Sequence, residues 1–300
     1  MKHHIVSIGV SKHLDARHNL QYASKDASQF YRLFELNLPN QGYKKLLLDS
    51  EATLGQIKSA LGAELRKKIS PDDAFFFYYS GHGDTGDDKS DPNTASNYLI
   101  PFDATDDHAN SCISIQDLKD IFESLPSKIN FIFIDSCFSG CMAKNTKGYR
   151  IPKKKSFKGI KNFVNTAIGN GTVILMACKD TQEAIEDPDY ENGLFTYELL
   201  SELQSERSGD AYDPLTIFSP VAERVETRAR NVWKHEQTPA FFGSLEGRIS
   251  LPVFKTRLEI TPQLVSTPQH EELAQTPFSV AHVELSDKIK ERAVNDILQL

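Results

Sequence analysis

The 300-residue sequence predicts an α/β fold built on an open, mostly parallel sheet covered by helices on both faces. Two observations lead there. Short apolar runs alternate with amphipathic helical stretches along most of the chain. Two of those runs, "AFFFYY" (74–79) and "INFIFID" (129–135), are apolar on both alternating faces, as central parallel strands must be.

In chain order, "HIVSIGV" (4–10) reads as the first strand, and "ASKDASQFYRLFEL" (23–36) sets Ala27, Phe30, Tyr31 and Phe34 on one helical face. "KKLLLDS" (44–50) is the second strand. The helix after it, "ATLGQIKSALGAELRKKI" (52–69), starts on Thr53 and Gln56 at capping-box spacing. Beyond 74–79 a polar, acidic loop "DTGDDKSDPNTASN" leads into "YLIPF". "SIQDLKDIFESL" (114–125) then carries Ile115, Leu118, Phe122 and Leu125 on a helical stripe before the strand 129–135. A long basic segment precedes the strand "TVILMAC" (172–178) and helices over 194–203 and 219–233. These elements make one domain over residues 1–254. From 255 onward, TPQ, TPQ and TPF steps and a helical end read as a C-terminal extension (255–300) of unknown role.

A net charge of −7 and a pI near 5.7 argue against a nucleic-acid-binding surface. No apolar run reaches the roughly 18 residues a membrane span needs, and the start lacks a signal-peptide layout. The expectation is a cytoplasmic protein without a membrane partner. Cys112, Cys137, Cys141 and Cys178 fall at no paired zinc spacing, so a reducing compartment keeps them as thiols.

In doubly wound sheets, ligands sit beyond the carboxyl ends of the strands. Both "YYSGHG" and "FIDSCFSG" lie at such ends and bring His82 and Cys137 to one rim. Taken singly, His82 is a polar strand cap and Cys137 a small buried hydrophobe. Together they make a base and a thiol, the pairing that activates a sulfur nucleophile. Glycines beside His82 let backbone approach a substrate, and the Gly83 and Cys137 amides suit a developing oxyanion. Asp135 precedes Cys137 by two residues and so faces the same side of its strand. A carboxylate there opposes thiolate formation unless it serves a positively charged substrate group.

"YYSGHG" with "FIFIDSCFSG" resembles the two catalytic motifs of the caspase-like cysteine peptidases, and Asp-Ser-Cys is closer to the metacaspase branch than to animal caspases. "SIGVSKH", "ASKDA", "NYLIPFDA", "ILMACKDTQEAIED", "GLFTYELLSEL" and "QTPAFFGSLEGRISLPVF" extend the likeness over residues 4–254. The resemblance implies the caspase-like three-layer α/β/α sandwich, the caspase-hemoglobinase fold. It also implies Cys137 as nucleophile, His82 as general base and then acid, and the Gly83 and Cys137 amides as oxyanion donors. The reaction is endopeptidase cleavage through an acyl-enzyme, with no metal or organic cofactor in the chemistry. Asp135 and Asp26 match the acids that in metacaspases receive Arg or Lys, so the expected partners are proteins with exposed basic residues.

The linker at 144–165, rich in base and free of acid over 144–161, lies where the family carries its activation cut. Lys147, Arg150, Lys153, Lys154, Lys155 and Lys158 are therefore candidate self-processing sites. The acidic stretches 84–92 and 186–192 raise Ca2+ as an activator, although neither has EF-hand spacing and a solvated acidic loop is the plainer reading. A regulatory partner acting in trans is the further expectation. The alternative is a catalytically silent or partner-triggered scaffold, and the intact His82 and Cys137 speak against it.

Overall fold

The computed structural model describes residues 1–87, 94–137, 156–158, 171–179, 182–206, 211–243 and 251–260. All belong to a compact unit, Met1–Gln263; a second unit, Leu264–Leu300, falls outside the described residues.

The central sheet has six strands: β1 (His3–Gly9), β2 (Gln41–Leu48), β3 (Ala74–Ser80), β7 (Ile129–Asp135), β9 (Thr172–Met176) and β13 (Ala240–Gly243). Their spatial order is β13-β9-β7-β3-β1-β2, and every neighbouring pair is parallel except β13 with β9. A smaller sheet joins β4 (Gly83–Asp87), β5 (Thr94–Leu99) and β6 (Ile113–Ser114), with β8 (Ser156–Lys158) added parallel to β5. Two short ladders pair β10 (Glu186–Asp187) with β11 (Asn192–Gly193), and β12 (Ala211–Tyr212) with β14 (Leu251–Pro252).

The aromatic strand β3 explains the layering. Its period of two sends Phe75, Phe77 and Tyr79 to one face and Phe76 and Tyr78 to the other, all buried. The first face packs on α2 (Leu54–Lys58) and α4 (Ile115–Ser124) through Ile57, Leu118 and Phe122. The second packs on α1 (Ala23–Asn37), α5 (Leu194–Leu203) and α6 (Pro214–Asn231). Phe30 of α1 stacks on Tyr78 at 4.3 Å and tilts against Phe133 of β7 at 5.0 Å, so the helix that carries Asp26 is locked to the strand that carries Asp135. Truncating such a ring to alanine costs about 3–5 kcal/mol.

The structure departs from expectation in three places. Residues 84–87 and 94–97, expected in a loop, belong to β4 and β5, because pairing between the two outweighs their polar composition; Thr85 and Asn97 are buried across that ladder with side-chain oxygens 3.2 Å apart. The helix expected at 219 starts at Pro214. Asp213 caps it by accepting the Leu215 N–H at 2.8 Å, and a proline in the first turn needs no N–H partner. Last, the helix opened by the Thr53 cap passes into a π-helical stretch at Ser59–Glu64. Beyond residue 254, Leu258 and Ile260 still pack on the second-face core.

Candidate active site

Strand register decides where the expected site residues emerge. Gly9 pairs with Ser80, and Ser80 with Asp135. His82 and Cys137 thus each lie two residues past the same row, on continuations of parallel strands that run about 5 Å apart.

The backbone at His82 is fixed from below. The buried Tyr79 hydroxyl sits 2.7 Å from the His82 carbonyl oxygen and 2.9 Å from that of Ile100, and it accepts the Ile100 N–H at 3.1 Å. Gly81 is required for this: a Cβ there would stand 2.7 Å from the Tyr79 hydroxyl oxygen, at a φ of +158°. The Ile100 N–H donates to His82 O at 3.1 Å, which marks 82 and 100 as a hydrogen-bonded pair. By alternation the next pair, Gly83 and Leu99, is non-hydrogen-bonded, and the Gly83 N–H points away from β5.

The His82 ring is held in one tautomer. Its Nε2 lies 2.9 Å from the His18 carbonyl oxygen. A carbonyl only accepts, so Nε2 bears the proton and Nδ1 is left as the basic nitrogen. Burial lowers the His82 pKa, which keeps the imidazole neutral and able to take a proton. His13 packs beside it with ring centroids 5.4 Å apart.

Asp26 and Asp135 are both buried, at 1% and 6% exposure. Asp26 accepts the Gly193 N–H at 3.0 Å, the Asn192 amide at 2.6 Å and the Ser80 hydroxyl at 3.2 Å. Asp135 accepts the Thr196 hydroxyl at 2.5 Å and its N–H at 3.2 Å, both on Oδ2. The Tyr78 hydroxyl backs Thr196 at 2.6 Å. The two carboxylates converge at Gly193, where a Cβ would stand 2.5 Å from Asp135 Oδ2 and 2.9 Å from Asp26 Oδ2. Burial, and then the neighbouring Asp135 charge, hold Asp26 well above the usual carboxylate range; burial pushes Asp135 up to about 6. Among the described residues no lysine or arginine pairs with either.

His82, Cys137, Asp26 and Asp135 all line one cavity of about 160 Å³, together with Ser80, Gly81 and Gly193. A family model described as the caspase domain matches residues 2–249. The chain belongs to the caspase domain family. This caspase-domain protein has the family's α/β sandwich around a mostly parallel sheet. Among solved structures, protein GSU0716 from Geobacter sulfurreducens matches with a TM-score of 0.57, covering 86% of this chain and 98% of its own at 21% identity, a likeness of fold. A curated relative, a probable protease from a Desulfuromonadales bacterium, is 30% identical over 157 residues, or 51% of the caspase-domain chain. The match spans only 18% of that relative's length.

Of the other expected sites, Lys147, Arg150, Lys153, Lys154 and Lys155 lie outside the described residues, while Lys158 ends β8 in a ladder with β5. Residues 88–92 of one acidic stretch also lie outside them. In the other, Glu186 accepts the N–H groups of Gln21 and Tyr22, Asp187 and Asp189 pair with Arg228, and Glu191 pairs with Lys25. Among the described residues no cluster of three metal-ligating side chains is present, and no helix is long and apolar enough to cross a membrane. The His18 carbonyl, Thr196, Asn192 and Gly193 were not among the expected site residues. Each acts through backbone, or through a contact more than 50 positions away in sequence, which no local motif displays.

Proposed function

We propose that the protein is a cysteine endopeptidase that cleaves protein substrates after Arg or Lys. The observation that carries this is a single cavity lined by His82, Cys137, Asp26 and Asp135, with both carboxylates buried and no cation among the described residues to pair them.

His82 Nδ1 takes the Cys137 thiol proton, and the thiolate sulfur attacks the scissile carbonyl carbon. The oxyanion draws on the Gly83 and Cys137 N–H groups, each donor worth about 3 kcal/mol in acyl transfer. His82 then protonates the departing amine as the C–N bond breaks, leaving a thioester on Cys137. Water, deprotonated by His82, releases the acid and regenerates the thiol. The substrate's basic side chain occupies the space between the sulfur and the two carboxylates, where it neutralises charge the fold has left unpaired.

Self-processing within 144–161 belongs to the same reading, though a cut after Lys158 requires its ladder with β5 to open. The test is a fluorogenic peptide panel with Arg, Lys, Asn or Asp before the scissile bond, run with added Ca2+ and with a chelator. Wild type is expected to cleave the Arg and Lys peptides, and Cys137→Ala to lose about a thousandfold or more. Cleavage after Asp instead would overturn the pocket assignment. Cleavage of no peptide under either condition would favour the scaffold. Mass spectrometry of wild type beside Cys137→Ala checks the linker.

A further inference from the structure

The imidazole of His82 has no side-chain neighbour next to it in its own segment, because Gly81 and Gly83 flank it. A different segment supplies the packing, the loop 10–22 between β1 and α1. That loop reaches His82 twice: the His18 carbonyl takes the Nε2 proton, and the His13 ring lies beside the His82 ring, tilted by 42°. His13 is 8% exposed and does not line the cavity that His82 shares with Cys137. A residue so placed acts on the reaction through His82.

The loop is anchored so that both contacts are held at once. Just past β2, Asp49 Oδ1 accepts the N–H groups of Ser11 and Lys12, each at 2.8 Å, and the Ser24 hydroxyl at 2.6 Å. Asn19 Oδ1 accepts the His13 N–H at 2.9 Å, and the Leu14 N–H donates to the Phe102 carbonyl at 3.3 Å. The ring of His13 is less well served than its backbone. Its Nε2 is buried and has no hydrogen-bond partner among the described residues. Buried polar atoms are normally paired, and an apolar side chain would fill this space without stranding a nitrogen. The fold of the loop therefore does not account for a histidine here, whereas the neighbouring ring does.

A polar but uncharged ring suits a neighbour that gains and loses a proton. Burial, and then the charges of His82 and His18, push the His13 pKa down to about 4. A backbone hydrogen bond to Pro101 and the Asp49 charge work the other way without reversing this, so His13 is neutral at neutral pH. On its cavity side, His82 is in the company of Cys137, Asp26, Asp135, Glu183 and Glu186.

From this packing we infer that His13 is a positioning residue: its ring is the wall that holds the His82 imidazole where Nε2 meets the His18 carbonyl and Nδ1 is left to take the Cys137 proton. This rests on the reading of His82 and Cys137 as a base and a thiol. A base held in reach favours the thiolate, and a base free to turn away does not.

His13→Ala tests it by opening the space beside His82. Two quantities are read, with thermal melting as the check on folding: kcat and KM on the Arg peptide, and the pH dependence of Cys137 alkylation by iodoacetamide, followed by mass spectrometry of the Cys137 peptide. The wild-type alkylation midpoint is expected below the value of about 8.5 of an ordinary cysteine. In His13→Ala it is expected to rise by about one pH unit, and kcat to fall about tenfold with KM changed by no more than about threefold. A loss of stability alone moves neither quantity in protein that is still folded. If His13→Ala melts early, His13→Gln, which keeps bulk and polarity but not the flat ring, is expected to fold and to move both in the same direction. A folded variant whose alkylation midpoint stays within about 0.3 pH unit of wild type overturns the role of His13 alone. A wild-type midpoint no lower than that of an ordinary cysteine overturns it together with the base and thiol reading.

Discussion

Two sets of buried carboxylates in this protein meet opposite treatment. Asp187 is fully buried, and burial works to raise its pKa, yet hydrogen bonds from Arg228 and Trp233 bring it below the usual value. Arg228 also lies over the Tyr190 ring at 4.0 Å, so this ion pair is packed as well as bonded. Asp26 and Asp135 are buried nearly as deeply but face neutral donors and each other, and both are raised. Neutral hydrogen bonds orient a carboxylate without cancelling its charge, whereas a guanidinium does both. One site is completed by the fold. The other, on the proposed reading, is completed by the substrate.

The strongest break of that contrast is Asp135→Asn, which keeps an acceptor for Thr196. Cleavage of Arg peptides is expected to fall by about a hundredfold or more, the scale of a buried cation left without its partner, while thermal stability at neutral pH holds or rises. Asp187→Asn reverses the pattern. It leaves Arg228 only the exposed Asp189 as a carboxylate partner and is expected to lower stability by about 3 kcal/mol in urea unfolding, with peptide cleavage falling only as the protein unfolds.

The pH dependence sharpens the contrast further. Asp135 is raised from 3.8 to about 6, so the empty protein holds its proton more tightly than the unfolded chain does. Its contribution to stability is present below 3.8 and is lost as pH rises toward 6. Asp187 runs the other way: it stabilises at neutral pH, and that contribution is lost as pH falls through its lowered pKa. Binding of agmatine, a guanidinium probe, to Cys137→Ala is expected to weaken about tenfold per pH unit below 6. Calorimetry in buffers of different ionisation enthalpy is expected to show a proton released on binding; none released at pH 6 would count against an empty, proton-holding pocket. The smallest effect is that of Tyr79→Phe, which removes the hydroxyl beneath His82 and Ile100. A loss of about 1–2 kcal/mol in stability and a several-fold drop in kcat are expected, and full activity would show that the hydroxyl does not align His82.

Much of this was legible in the sequence because it rests on periodicity. The both-face burial of β3 and β7, the helix bearing Asp26 and the 194–203 helix all follow from apolar spacing, and two parallel strands of equal register carry His82 and Cys137 to one rim. What escaped was set by pairing across the chain. β4 is polar and became a strand only because β5 lies beside it. Gly193 is unremarkable in sequence, and its role comes from two aspartate oxygens, 167 and 58 positions away, occupying the space of its missing side chain. The 186–192 stretch reads as an acidic loop, whereas its carboxylates are each bound to a cation or to backbone N–H groups of this chain.

The distribution of the site along the chain has one more consequence. Everything the proposed bond-breaking step uses, His18, His82, Gly83 and Cys137, precedes residue 138, whereas Glu186, Asn192, Gly193 and Thr196 all follow residue 171. The two stretches are sewn together by the β7–β9 ladder and by Asp26 and Asp135 reaching across to the second stretch. On the proposed reading, reactivity is the property of one segment, and discrimination is shared between two. On that reading, a break in the intervening chain leaves halves that must stay associated for the thiol to choose what it cuts.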